Sequence, residues 1–217
     1  MAYAAALALR EKLRELCPKE VDDEKGSVET FRTEMQATMA EHPEKKHDFT
    51  FVRMETLRRV TGDDSIATQV FEAWFAQRNR PRLFTGVLDA LRALRAAGLR
   101  VGTLTDGNSD PTTMEGLQEV VDFAVSAADA GAAKPDEKPF RRCVELSGFA
   151  PVEMVMVGDS AEKDVAGGKK AGWRAIWVRP PKLERALVGS AWDLGNAAPV
   201  DGSGLADAVV DHVREVE

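Results

Sequence analysis

Residues 153 to 172 read EMVMVGDSAEKDVAGGKKAG, and the change of pattern at Gly158 decides how the second half of the chain is read. An apolar run of strand character, Met154 to Val157, stops at a glycine, and a polar segment of helical character starts at once. A buried parallel strand that hands the chain to a covering helix has this form. Two aspartates, Asp159 and Asp164, stand at the junction. Asp159 is placed to cap the start of the helix. Asp164 follows by a little more than one turn, so both carboxylates can also face one point, and two carboxylates with waters and a phosphate suit Mg2+. The local sequence carries both readings.

Working outward, the same alternation runs from Pro81 to the end. GVLDALRALRAAG (86–98) sets Val87, Leu88, Leu91 and Leu94 on one helical face and stops at Gly98. Then come LRVGTLT (99–105), a helix near TTMEGLQEV (112–120), FAVSAA (123–128), a helix in EKPFRRCVELSG (137–148), EMVMVG, a helix in EKDVAGGKKAG and RAIWV (174–178). Four short buried strands separated by helices predict a parallel sheet in an α/β domain over residues 81–217. GLADAVVDHVREV (204–216) reads as a closing helix with Leu205, Val209 and Val213 on one stripe, and the Gly- and Pro-rich stretch 179–204 as a loop.

The first eighty residues are different. MAYAAALALREKLREL puts Leu9, Leu13 and Leu16 on one face, and SVETFRTEMQATMAEH, DFTFVRMETLRRV and DDSIATQVFEAWFAQR follow it. Ser27, Asp63 and Asp64 supply helix-start chemistry. Residues 1–80 therefore predict an all-helical domain.

Composition excludes several functions. Lys and Arg total 29 against 36 Asp and Glu, a balance of −7 that suits neither a nucleic-acid partner nor an anionic membrane surface. Cys17 and Cys143 are too few for a disulfide framework and read as reduced, structural thiols. His42, His47 and His212 are scattered, so a zinc centre or a Ser/His/Asp hydrolase lacks parts. No apolar stretch approaches the roughly 20 residues that span a bilayer. The opening helix has no basic leader and carries Glu11 and Glu15, unlike a targeting peptide. A cytoplasmic location is expected, or an organelle such as a plastid if a targeting segment preceded residue 1.

Ligands of open parallel sheets bind outside the carboxyl ends of the strands. At one such end Thr105 is followed by Asp106, Gly107 and Asn108, where a hydroxyl and turn amides can grip a phosphate oxygen or simply make an Asp-Gly turn. Lys134 precedes Pro135, which favours an extended backbone and a defined direction for the ammonium. It can balance a phosphate or stand as an ordinary surface lysine.

A strand-end Thr105, then Lys134 before proline, then GDSAEKD (158–164) behind an apolar strand resembles the haloacid dehalogenase-like superfamily of phosphatases. The likeness runs from about Gly86 to Pro180. It implies a three-layer, Rossmann-like parallel sheet and makes the helical domain a cap. Catalytic roles follow for Thr105 and Lys134, phosphate binding for Thr105, Asp106, Gly107, Asn108 and Lys134, and Mg2+ binding for Asp159 and Asp164. The substrate class implied is a small phosphorylated metabolite. TDGNSDP, KPDEKPF, DVAGGKKAGWRAIWVRP and, in the helical half, HDFTFVR (47–53) look like the flavin-pathway phosphatases that act on FMN and on 5-amino-6-(5-phosphoribitylamino)uracil.

The chain departs from that family at one point. The family's nucleophile is the first Asp of a D-x-D motif on a central strand that precedes the cap. Here the acid pairs before the α/β half lie in VDDEK and TGDDS, and neither follows an apolar strand. The resemblance puts that strand between VGTLT and MVMVG, so its absence leaves a gap of two strand spacings, about 9 to 10 Å; either the sheet closes up, another segment fills the slot, or the chain is a fragment, with Mg2+ weakly held for want of carboxylates. Two expectations result: a phosphatase with little or no activity in these 217 residues, or a non-catalytic relative that binds a phosphorylated ligand or a partner protein.

Overall fold

The computed structural model describes residues 2–17, 28–179, 201–212, 215 and 216. The chain forms two compact units that part between Arg82 and Leu83.

The first unit is helical: α1 (Ala2–Leu16), α2 (Val28–Glu41), α3 (Phe49–Thr61) and α4 (Asp64–Arg78). Helix α4 packs against both α1 and α3, and α3 also meets α2. The stripe read from sequence faces inward: Leu9 and Leu13 join Phe31, Met35, Val52, Leu57, Val70 and Trp74 in the core, and Leu16 packs on it half-buried. The guanidinium of Arg53 lies 3.8 Å over the Trp74 ring. Asp63 caps α4 as expected, its carboxylate accepting the Ile66 N–H. Ser27 lies outside the described residues. Asp48 caps α3 by accepting the Phe51 N–H at 3.0 Å. Asp48→Ala should therefore cost about 1 kcal/mol, read as a lower urea midpoint with unchanged slope. An unchanged midpoint would show that water serves the Phe51 amide as well.

The second unit contains α5 (Val87–Ala96), β1 (Gly102–Thr105), β2 (Phe123–Ser126), α6 (Ala127–Ala130), α7 (Glu137–Ser147), β3 (Val155–Gly158), α8 (Gly167–Lys170), β4 (Arg174–Val178) and β5 (Ala208–Val210). All strand pairs are parallel, with Thr105 beside Ser126 and Gly158 beside Trp177. The strands do not make one sheet. β1 pairs with β2, and β3, β4 and β5 form a second sheet, so among the described residues no strand joins β1 to β3. One core nevertheless serves both: Val125 of β2 and Met156 of β3 pack with Phe140 and Cys143 of α7 and with Trp173. Burial pushes the Cys143 thiol up to about 12, so it is an inert packing group, and Cys17 is buried too.

Three sequence expectations need correction. Residues 208–210, read as part of a closing helix, are strand β5. Helix propensity is a weak preference, and the free edge of β4 offers ladder hydrogen bonds to the β-branched pair Val209 and Val210. Asp207 secures the entry, donating its N–H to Ala175 O and accepting the Ala175 N–H, both at 2.8 Å. The expected helix near 112–120 is a 3-10 turn, Pro111–Thr113, followed by further turns. Gly116 sits there at φ 80°, outside helical space. On α5 the stripe of Val87, Leu88, Leu91 and Leu94 is only half-buried, and Ala90 is the buried position. Residues 180–200, most of the expected loop, lie outside the described residues. No helix among the described residues is long and apolar enough to cross a membrane.

Candidate functional site

The polar residues singled out in the sequence converge on the carboxyl ends of β1 and β3. Thr105 closes β1, and its Oγ1 accepts the Gly107 N–H at 2.9 Å. That amide is therefore spent on the turn, while the Thr105 hydroxyl proton stays available to an incoming oxygen. Asn108 continues the same turn, half-buried. Asp106 ties the turn to the lysine segment: its Oδ1 accepts the Lys134 N–H at 2.9 Å.

Lys134 is the centre of the cluster. Its Nζ donates to Leu104 O of β1 at 3.1 Å and to Asp164 Oδ1 at 2.5 Å. The side chains of Lys134 and Asp164 are only 10% and 6% exposed. This is not a solvated surface lysine. It bridges the end of one sheet to the segment that follows the other.

The segment after β3 is built to aim Asp164. Residues Ala161–Ala166 form a π-helical turn in which Ser160 O accepts from both Asp164 N at 2.9 Å and Val165 N at 3.1 Å. The wider turn brings Asp164 back over the strand end, where its Oδ2 accepts the Ser160 N–H at 3.0 Å. Gly158 makes room for it: a Cβ there would lie 2.3 Å from Asp164 Oδ2. Gly158→Ala should therefore displace the carboxylate from Lys134 and cost about 1 to 3 kcal/mol in thermal unfolding. A melting temperature equal to that of the parent chain would show that Asp164 gives way freely.

Asp159 departs from its reading as a cap. Ser160 caps the turn instead, its Oγ accepting the Lys163 N–H at 3.1 Å, and the Asp159 side chain is exposed. The indole N–H of Trp177, on β4, donates to Asp159 O at 3.0 Å and fixes that backbone.

Asp159 and Asp164, the two carboxylates expected to face a metal ion, both stand on the segment that follows β3. No group of three His, Cys, Asp or Glu among the described residues is placed to hold an ion. Asp164 already receives an ammonium and an amide, one on each oxygen. A small, strongly hydrated dication needs an octahedron of oxygens, and an acid so occupied beside one exposed partner does not fit it.

One participant was missed in the sequence. Lys163, inside GDSAEKD, places its Nζ 3.1 Å from Asp106 Oδ2. Its position one residue before Asp164, with opposite charge, was the only signal.

With this geometry in place, the wider relationship is plain. The haloacid dehalogenase-like hydrolase family matches residues 4–172, most of the chain, and a second HAD-hydrolase-like family description matches residues 131–215. The protein belongs to the haloacid dehalogenase-like hydrolases. Its sequence is similar to phosphoserine phosphatase of Thermus thermophilus, with 34% identity over 128 residues, 57% of this chain and 51% of that protein. It is also similar to pyrimidine 5'-nucleotidase YjjG of Escherichia coli, 35% identical over 105 residues and 46% of each chain. The chain thus spans about half the length of these curated relatives or less. Its structure is similar to a 2-haloacid dehalogenase from Pseudomonas syringae, with a TM-score of 0.77 and 29% identity over 96% of this chain and 86% of that one.

Proposed function

We propose that the chain carries the anion-binding part of a phosphomonoester hydrolase site, formed by Thr105, Lys134 and Asp164. The observation that carries this reading is Lys134, a nearly buried cation held by groups from the ends of both sheets. Desolvated and pre-oriented, such an ammonium acts on a bound anion more strongly than a surface lysine. Asp164 fixes its direction, and two of its three protons are engaged, so one is left for a phosphate oxygen. The Thr105 hydroxyl donates a second bond from the end of β1.

Phosphatase relatives support a phosphate rather than a carboxylate as the anion. Among phosphomonoesters the proposed substrate is FMN or a riboflavin precursor, on the likeness of TDGNSDP and DVAGGKKAGWRAIWVRP to that branch. Binding without turnover is the second reading. It is favoured by the separation of the two sheets, with no described strand joining β1 to β3.

The test is calorimetric titration of the chain with inorganic phosphate, FMN and phosphoserine. Saturable binding is expected, strongest for FMN, and Thr105→Val should weaken it roughly tenfold to a hundredfold through loss of one charged hydrogen bond. No saturable phosphate binding by the parent chain would overturn the proposal.

A further inference from the structure

We infer that Lys163 is a second anion-binding residue of this site, one that leaves Asp106 for an incoming phosphate and so selects dianions over carboxylates. The inference rests on the phosphate reading above. An accounting of donors separates the two lysines. Lys134 has committed two protons, to Leu104 O and Asp164 Oδ1, and its side chain is 10% exposed. Its place is set, and one donor remains.

Lys163 is the reverse. Among the described residues its Nζ meets Asp106 Oδ2 at 3.1 Å, and its side chain is 53% exposed. Two of its protons face water. Its backbone is anchored all the same, because its N–H donates to Ser160 Oγ at 3.1 Å. What can move is the four-carbon stem.

Asp106, 16% exposed, is the fixed member of the pair, since its other oxygen holds the Lys134 N–H at 2.9 Å. The Lys163 ammonium is thus brought from the turn after β3 to the turn after β1, one residue from Thr105. An exposed ion pair of this kind contributes little to stability. A phosphate, with two negative charges and several acceptor oxygens, competes for that ammonium better than a carboxylate with one charge. A flexible, hydrated lysine suits this exchange better than a rigid guanidinium would. With Lys134 and Lys163 both turned to the ligand, two ammoniums face the dianion, while Asp164 stays paired with Lys134 and Asp106 keeps the Lys134 amide. A monoanion such as a 2-haloacid would leave one lysine paired with Asp106.

The experiment uses the full chain and inorganic phosphate, titrated by calorimetry at low and moderate salt. Lys163→Gln should weaken phosphate binding threefold to tenfold and flatten its dependence on salt, while Lys163→Arg should restore most of the affinity. Asp106→Asn keeps an acceptor for the Lys134 N–H but releases Lys163, so it should tighten phosphate binding, and that gain should vanish in the Lys163→Gln background. Equal phosphate affinity in the parent chain and Lys163→Gln would remove Lys163 from the site and leave the phosphate reading standing. A gain from Asp106→Asn that survives Lys163→Gln would do the same. Absence of phosphate binding by the parent chain would overturn both together.

Discussion

Incubated with p-nitrophenyl phosphate or FMN, a protein of these 217 residues should release phosphate about a millionfold more slowly than a hydrolase whose nucleophile is in place. The magnitude follows from what the described site contains. Lys134 and Thr105 offer charge and a hydrogen bond to a phosphate, and positioning of this kind retains only the residual thousandfold or so that binding contributes without covalent attack. Two of the acids at the site are committed elsewhere, and Asp159 is exposed on the segment after β3. Asp164 is bound to Lys134 and Ser160, and Asp106 is bound to the Lys134 amide and to Lys163. Phosphate release is the direct measurement, with chloride release from 2-chloropropionate as a parallel assay. Turnover near one per second that is lost in Thr105→Val would show an attacking group outside this cluster and would sink the prediction.

Replacing Lys134 with methionine should destabilise the second unit by about 3 to 5 kcal/mol. The cause is not the loss of an attraction but the charge left behind, since Asp164 is 6% exposed and would keep only the Ser160 N–H. Leu104 O would lose a donor as well. Whole domains are stable by about 5 to 15 kcal/mol, so a change of this size is visible as a large drop in urea midpoint. The companion variant separates charge burial from packing: Lys134→Met with Asp164→Leu removes both charges and should recover most of the loss. A single variant costing under about 1 kcal/mol, or a double variant no better than the single, would show that the pair is solvated in practice.

How far the sequence could be read depended on the range of the interactions involved. Helical stripes and strand runs are local, so α1 to α4 and β1 to β4 appear where Leu9, Leu13 and the run Met154 to Val157 placed them. Asp63 was found as a cap for the same reason. The errors occur where a distant partner outweighs the local preference. Val209 and Val210 extend because β4 has a free edge, and residues 114–120 do not form a helix because Gly116 turns the chain. Asp159 and Ser160 are adjacent and both are good caps. Ser160 took the role once the π-helical turn set its Oγ against the Lys163 amide and Trp177 fixed the carbonyl of Asp159.

The stretch from Glu153 to Gly172 therefore established, from composition and spacing alone, a parallel strand, a tight exit and two acids beside it, because strand and turn preferences act over a few residues. Its partners were beyond that range. Lys134 is 30 residues from Asp164 and reaches it only because β1, β3 and the segment behind each end at the same edge of the fold. That meeting made one of the two acids the partner of a nearly buried ammonium. Charge compensation in a nearly dry pocket is set by what lies within a few ångströms, and no spacing along the chain specifies it.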